Sequence, residues 1–400
     1  MEGQHKNSAL RKKRILVLCD FYLPSTKSGG GMWTIVNLVD RFSSKYDFFI
    51  VARNHESRND LAPFRSVKTG EWNDTGNAQV YYLPGSSFRP RKIADLIAEI
   101  GPTGVFLNSV FSRPSIAFLL ARKFKYFSHI PVVAATCGEL SPLVLRLKWW
   151  KKKPYLLAAK LFGLYRGIWW KASSASESEE IQNALSTEQE PMVAPDLAPR
   201  EILPGFTTSD KPPKMPGQLK IIFYSRIVPK KNLSFLLERL LDIADGRVEL
   251  TIAGPIEDES YWAECQSLIR RLSSNIIVNT LNAVSYNDGL KLLQDSHLFV
   301  LPTIYENFGY VVLEALGAGC PALISDRTIW SELIDESLGW TLPLDRPQEW
   351  IKVIEEVLSQ GESEFHTMSA AAREFALNWL RRPENESATA NVLETAFGGQ

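Results

Sequence analysis

The chain has 400 residues, 45 basic and 45 acidic side chains, and a formal net charge of zero. That length favours two domains over one hydrophobic core, and an apolar content of 45% excludes wholesale disorder. The zero is uneven: residues 1–200 hold 28 Lys and Arg against 17 Asp and Glu, and residues 201–400 hold the reverse. A neutral total argues against non-specific nucleic-acid binding, which needs a broad basic face. Cys19, Cys137, Cys265 and Cys320 are too scattered for a zinc motif or a disulfide framework. After the basic run Arg11–Arg14 only Ile15–Cys19 is apolar, shorter than a signal-peptide core. The longest apolar stretch, Pro154–Trp170, is broken by Lys160 and Arg166, so no spanning helix is expected. These features predict a cytoplasmic protein.

Short apolar runs alternate with helix-period segments, the pattern of a parallel α/β sheet. In the first half strands are predicted at Arg14–Cys19, Phe48–Ala52, Val80–Leu83, Val105–Asn108 and Val132–Ala135. Helices are predicted at Met32–Ser43, Arg91–Ile100, Pro114–Phe127, Pro142–Lys151 and Tyr155–Lys171, with a long polar loop over Asn54–Gln79. Six prolines and two glycines between Pro195 and Gln218 read as an interdomain linker. The second half repeats the pattern. Strands are predicted at Ile221–Ser225, Glu249–Ala253, Ile276–Asn279, Leu298–Leu301 and Ala322–Ser325. Helices are predicted at Leu233–Ala244, Ser260–Ser273, Tyr286–Leu293 and Val311–Gly319, with a helical tail over Pro347–Phe397. The expected fold class is α/β, two facing Rossmann-like doubly wound domains with a cleft between them. The expected boundaries are 1–200 for an acceptor-side domain, 201–375 for a donor-binding domain, and 376–400 for a helical tail packing back toward the first domain.

Three segments carry chemistry. Gly29-Gly30-Gly31 precedes a helix, where glycine admits a close ligand and the helix N-terminus favours an anion; a flexible turn is the alternative. Arg226 and Lys231 follow the first strand of the second half, spaced to grip a diphosphate as a fork and a point charge; the alternative is a solvated loop. The strongest segment runs Leu301–Glu314. Here Glu306 sits on a turn, Asn307, Phe308, Gly309 and Tyr310 open a helix, and Glu314 follows a little over two turns after Glu306. A carboxylate beside Ala315, Gly317, Ala318 and Gly319 is unusual for a packing face, because a buried charge needs a partner. Sugar hydroxyls suit that role.

The glycine turn, the Arg/Lys pair and the two glutamates eight residues apart together resemble retaining glycosyltransferases of family 4, the bacterial polysaccharide-type glycosyl transferase group 1, of GT-B fold. Further segments carry the likeness: Leu107–Ser109, Ala135–Pro142, Lys152–Tyr155, Gly254–Asp258 and Gly319–Arg327. The resemblance implies that Arg226 and Lys231 neutralise the donor diphosphate and that Glu314 bonds the ribose hydroxyls. Glu306 would lie near the donor sugar, beside backbone groups of Asn307, Phe308, Gly309 and Tyr310. Gly29, Gly30 and Gly31 would face the diphosphate and acceptor. With fixed cations at the leaving group and no Asp-x-Asp motif, no metal or cofactor is expected, the nucleotide sugar being a substrate.

The chain departs from the family at two points. Many relatives have a histidine near the reacting sugar, where this chain reads Ala134–Glu139; His129 lies before the strand and reads as a surface residue. Relatives of the subgroup often carry arginine at the position of Cys137 and histidine at that of Tyr310. Glu139 is then the first domain's polar candidate, an N-cap or structural ion pair being the alternative. The stretch Leu140–Ser176 has eight Lys and Arg, no Asp or Glu, and four of the eleven tryptophans. That composition suits an anionic membrane surface, or else two packed helices with a solvated basic face. The expected activity is transfer of a hexosyl group from a UDP- or GDP-sugar to a glycan or lipid-linked glycan in cell-surface polysaccharide assembly. A nucleotide-sugar epimerase of the same fold and a degenerate nucleotide-sugar-binding subunit are the rivals.

Overall fold

A computed structural model describes residues 12–26, 28–56, 61–124, 127–187, 189–332, 335 and 337–398. Arg11, the first residue of the basic run, lies outside them. The chain divides into two compact units, residues 1–197 with 386–400, and Ala198–Asn385.

The first unit contains β1 (Lys13–Leu18), α1 (Gly30–Phe42), β2 (Tyr46–Arg53), β3 (Trp72–Asp74), β4 (Ala78–Leu83), α2 (Pro90–Ile100) and β5 (Gly104–Asn108). It continues with α3 (Arg113–Phe124), β6 (Val132–Ala135), α4 (Pro142–Arg146), α5 (Trp149–Leu161), β7 (Ile168–Ala172), α6 (Ala175–Leu185) and β8 (Met192–Val193). The sheet runs β3-β4-β2-β1-β5-β6-β7-β8, parallel except where β3 meets β4. Successive residues of a strand face opposite sides, and both sides are covered here: Leu16 and Leu18 join one core, Ile15 and Val17 the other. That is why β1 reads as an unbroken apolar run.

The second unit contains β9 (Gln218–Tyr224), α7 (Leu233–Leu240), β10 (Arg247–Ala253), α8 (Glu259–Ile269), β11 (Ile276–Leu281) and α9 (Tyr286–Gln294). After these come β12 (Leu298–Leu301), α10 (Tyr310–Gly317), β13 (Ala322–Ser325), β14 (Gly339–Leu342), α11 (Pro347–Ser359) and α12 (Glu362–Leu380). Its sheet is wholly parallel, in the order β11-β10-β9-β12-β13-β14. The last helix, α13 (Pro383–Phe397), places Val392, Leu393, Ala396 and Phe397 in the core of the first unit beside Ile15 and Val17.

Four expectations need correction. The predicted helix Tyr155–Lys171 ends at Leu161, and Ile168–Ala172 is a sheet strand. Gly163 and Gly167, both at positive φ, turn the chain between them, and the β-branched and aromatic run Ile168-Trp169-Trp170 then pairs with β6. The predicted helix Pro142–Lys151 breaks at Lys148, whose φ is 56°. The polar loop Asn54–Gln79 holds strand β3 among its described residues. The proline-rich stretch is no free linker over its second part. Lys211 Nζ donates to the carbonyls of Leu293, Gln294 and Ala318, capping helix ends, and Lys214 Nζ donates to those of Met215, Leu358 and Gln360. Burial lowers both ammonium pKa values to about 8.

Candidate active site

Open parallel sheets bind ligands beyond the carboxyl ends of their strands, where the strand order reverses. In the second unit that point lies between β9 and β12, and the predicted residues follow those two strands. Beyond β9, Arg226 enters a loop that ends in a 3-10 turn, Pro229–Lys231, with Asn232 in the left-handed region at φ 61°. Beyond β12, Thr303 is buried and its hydroxyl donates to the carbonyls of Lys230 and Tyr305. The Ile304 N–H also donates to the Lys230 carbonyl, at 2.9 Å. The two loops are thus stitched together before any side-chain charge is considered.

The stitching brings Lys231 against Glu306. Both are largely buried, and Lys231 Nζ donates to Glu306 Oε2 in an ion pair. Burial opposes the charge on Glu306, but Lys231, Lys230 and Arg226 outweigh it and hold the carboxyl below the usual carboxylate range. Arg226 itself pairs with Glu257 beyond β10, at 3.1 Å. Gly254 fixes that approach: at φ 145°, a Cβ there would lie 2.0 Å from the Ser225 carbonyl oxygen. Sequence reasoning did not single out Glu257 as a partner for Arg226; an acid just beyond a strand end is the signal that points to it.

The next segment is held from behind. Trp330 Nε1 donates to the Phe308 carbonyl at 2.5 Å, and the Phe308 ring packs between Tyr310 and Trp330. Gly309, at φ 73°, is the N-cap of α10, and a Cβ there would press on Glu306 Cγ at 2.9 Å. Glycine is required on both counts. Two turns on, Glu314 is 7% exposed, and burial raises its carboxyl pKa to about 7, with no cation among the described residues offsetting it. Its charge also raises the pKa of Tyr224 and of Tyr286, second to their own burial, so both phenols lie within its electrostatic reach. Sequence reasoning did not single out either tyrosine as a site residue. The close seating of α9 on β9, where a Cβ on Gly289 would strike the Tyr224 hydroxyl oxygen at 2.2 Å, is a tertiary fact.

The first unit reverses its strand order between β1 and β5, and the remaining predicted residues gather there. Asn108 Nδ2 donates to the Gly31 carbonyl at 2.6 Å, and Cys137 Sγ donates to Asn108 Oδ1 at 3.1 Å. Gly29, at φ 67°, precedes α1, which begins at Gly30. Glu139 accepts from Ser109 Oγ at 2.8 Å to both oxygens and from the Val110 N–H at 2.9 Å. Burial raises its pKa above the usual value, those donors working in the other direction. The charge of Lys152 acts in the same direction as these donors. Behind them lies a pair that sequence reasoning missed, Lys171 with Asp196 at 2.8 Å, both about 5% exposed. His129 is exposed.

Two doubly wound units with these strand orders define a pair of Rossmann-like α/β domains. Anabaena HepE, solved in complex with UDP and glucose, superposes with a TM-score of 0.68 at 16% identity, over 96% of this chain and 99% of that one. The fold is GT-B. Residues 206–375 match the family model of glycosyl transferases group 1. The alpha-1,3/1,6-mannosyltransferase alg-2 of Neurospora crassa is 29% identical over 163 residues, covering 39% of this chain and 32% of its own length. The O-antigen chain mannosyltransferase RfbU of Salmonella typhimurium is 25% identical over 159 residues, 38% of this chain and 44% of its own. The matched stretch therefore spans less than half of either relative.

Proposed function

We propose that the chain is a retaining, metal-independent hexosyltransferase working at the cytoplasmic face. It moves a sugar from a UDP- or GDP-sugar to a hydroxyl of a glycan or lipid-linked glycan during cell-surface polysaccharide assembly. The observation that carries this reading is the meeting of Arg226, Lys231 and Glu306 where the second sheet reverses, with Glu314 buried two turns into the following helix. Fixed cations placed at the leaving group need no reorganisation as charge develops on the diphosphate. Each of the two cations faces a carboxylate, so an arriving diphosphate competes with Glu306 for Lys231 and with Glu257 for Arg226.

In this reading Glu306, held ionised, lies by the donor sugar, beside the backbone of Asn307, Phe308, Gly309 and Tyr310. Glu314, whose charge is costly in its present surroundings, accepts the ribose hydroxyls; two such donors satisfy a buried carboxylate. Gly29, Gly30 and Gly31 line the diphosphate and acceptor side, and Glu139 serves the acceptor. The nucleotide sugar is a substrate, and no cofactor enters. The mannosyltransferase names of the two relatives, and the UDP and glucose held by HepE, support the donor class.

A panel of UDP- and GDP-sugars, scored by thermal shift and by slow hydrolysis without acceptor, tests the proposal. One or two donors should stabilise the chain and release free sugar and nucleoside diphosphate. Release of an altered nucleotide sugar would establish the epimerase instead, and stabilisation without turnover in the presence of acceptor glycans would leave only a binder.

A further inference from the structure

We propose that the α4–α5 face of the first unit docks on an anionic lipid bilayer, with one acyl chain entering the groove beside α5. The Trp- and Lys-rich stretch loses half its tryptophans to the sheet, since Trp170 and Lys171 are buried and Trp169 is half-buried. What remains outside is concentrated. Seven of the fourteen exposed large apolar side chains among the described residues fall within positions 143–162, too dense a cluster for scattered surface residues. Trp149 and Trp150 are 56% and 58% exposed, and Leu161 is 80% exposed.

Along α5, Trp149, Lys153, Leu157 and Leu161 follow one another at four-residue spacing, all exposed, so apolar and cationic groups share one face. Arg146, Lys148, Lys151, Lys153, Lys160 and Arg166 are exposed, and no carboxylate occurs between Leu140 and Ser176. A protein partner would favour the reverse, because lysine is depleted where a protein interface closes. Interleaved Lys and Trp match the headgroup layer, where ammonium groups meet lipid phosphates and indoles sit at the boundary. Beside α5 lies a groove of about 620 Å³ walled by Leu145, Leu156, Ile168, Trp170 and Leu185 and rimmed by cations. Among the described residues lining it there is no carboxylate. An acyl chain fits such walls and an anionic headgroup fits such a rim.

This surface lies apart from the Arg226–Glu314 site in the chain, and its test is independent of any transfer activity. Vesicle flotation with the full chain compares phosphatidylcholine alone with an equal mixture of phosphatidylcholine and phosphatidylglycerol. The chain should float with the anionic vesicles only, and less so at high salt. K153Q/K160Q should weaken binding about 25-fold, from roughly fivefold per cation. Lipids brominated along the acyl chain should quench tryptophan fluorescence; W149F/W150F should remove most of the quenching and leave a remainder from Trp170 on the groove wall. Equal flotation with both vesicles, none with either, or unchanged binding by a K153Q/K160Q variant that melts like the wild type would overturn the docking surface. No remainder in W149F/W150F would remove the acyl chain from the groove. Should K153Q/K160Q fail to fold, quenching of the wild-type chain decides alone.

Discussion

The two units reverse strand order in the same way, at β1/β5 and at β9/β12, yet they place opposite chemistry there. In the basic first half, the reversal point carries glycine backbone, an asparagine, and a carboxylate hydrogen-bonded by a serine hydroxyl and a backbone N–H. In the acidic second half, it carries the cations Arg226 and Lys231, each against a carboxylate. The cations suited to a diphosphate therefore sit on the unit whose net charge is wrong for it. Local placement, stitched by backbone hydrogen bonds, decides what such a site offers; the sum of charges decides what the rest of the surface meets.

The comparison breaks first at Lys231. Lys231→Ala should lower transfer by at least about 10²–10³-fold, the usual cost of one transition-state charge contact, with the circular-dichroism melt still cooperative. Glu139→Gln should lose far less, since its hydrogen-bond donors are a hydroxyl and backbone N–H groups and an amide can still accept from them. Equal losses would erase the distinction between the two reversal points.

Glu314 sharpens it through pH. Its folded-state pKa of about 7 lies above the ordinary value of 4.5, so the folded state resists ionising it. Stability from the neutral form is full below about pH 4.5 and is lost as pH rises through 7. Glu314→Gln should therefore match the wild type at pH 4.5 and exceed it at pH 8 by on the order of 2–3 kcal/mol in denaturant unfolding, while losing donor binding. A pH-independent difference would show that Glu314 is not buried as described.

The smallest effect belongs to Gly309. Gly309→Ala forces a left-handed alanine and presses on Glu306, and should cost about 1–2 kcal/mol in unfolding, with a further drop in turnover from the displaced carboxylate. An unchanged melting temperature would mean that the loop relaxes freely.

Most of this architecture was legible because buried parallel strands read as apolar runs and the helices carry a 3.6-residue period. The failures have local causes. Ile168–Ala172 joined the preceding helical pattern without a polar break, and only Gly163 and Gly167 marked the turn. Helix α6 was passed over although Ser174 caps it, its side chain accepting from the Glu177 N–H. That Arg226, Lys231 and Glu306 come together was legible from their positions after strand ends, because parallel topology carries such residues to one edge. Tyr224 and Tyr286 within the electrostatic reach of Glu314, and the buried pair Lys171–Asp196, were not, since each depends on packing between elements distant in sequence.

The most direct test is calorimetric titration of UDP and GDP into the wild type, Lys231→Ala and Glu314→Ala. One nucleoside diphosphate should bind the wild type, with at least about tenfold loss in each variant, a charge-assisted contact being worth roughly 1.5–3 kcal/mol. Binding of equal strength in all three proteins would contradict the assignment of the second unit's reversal point as the donor site.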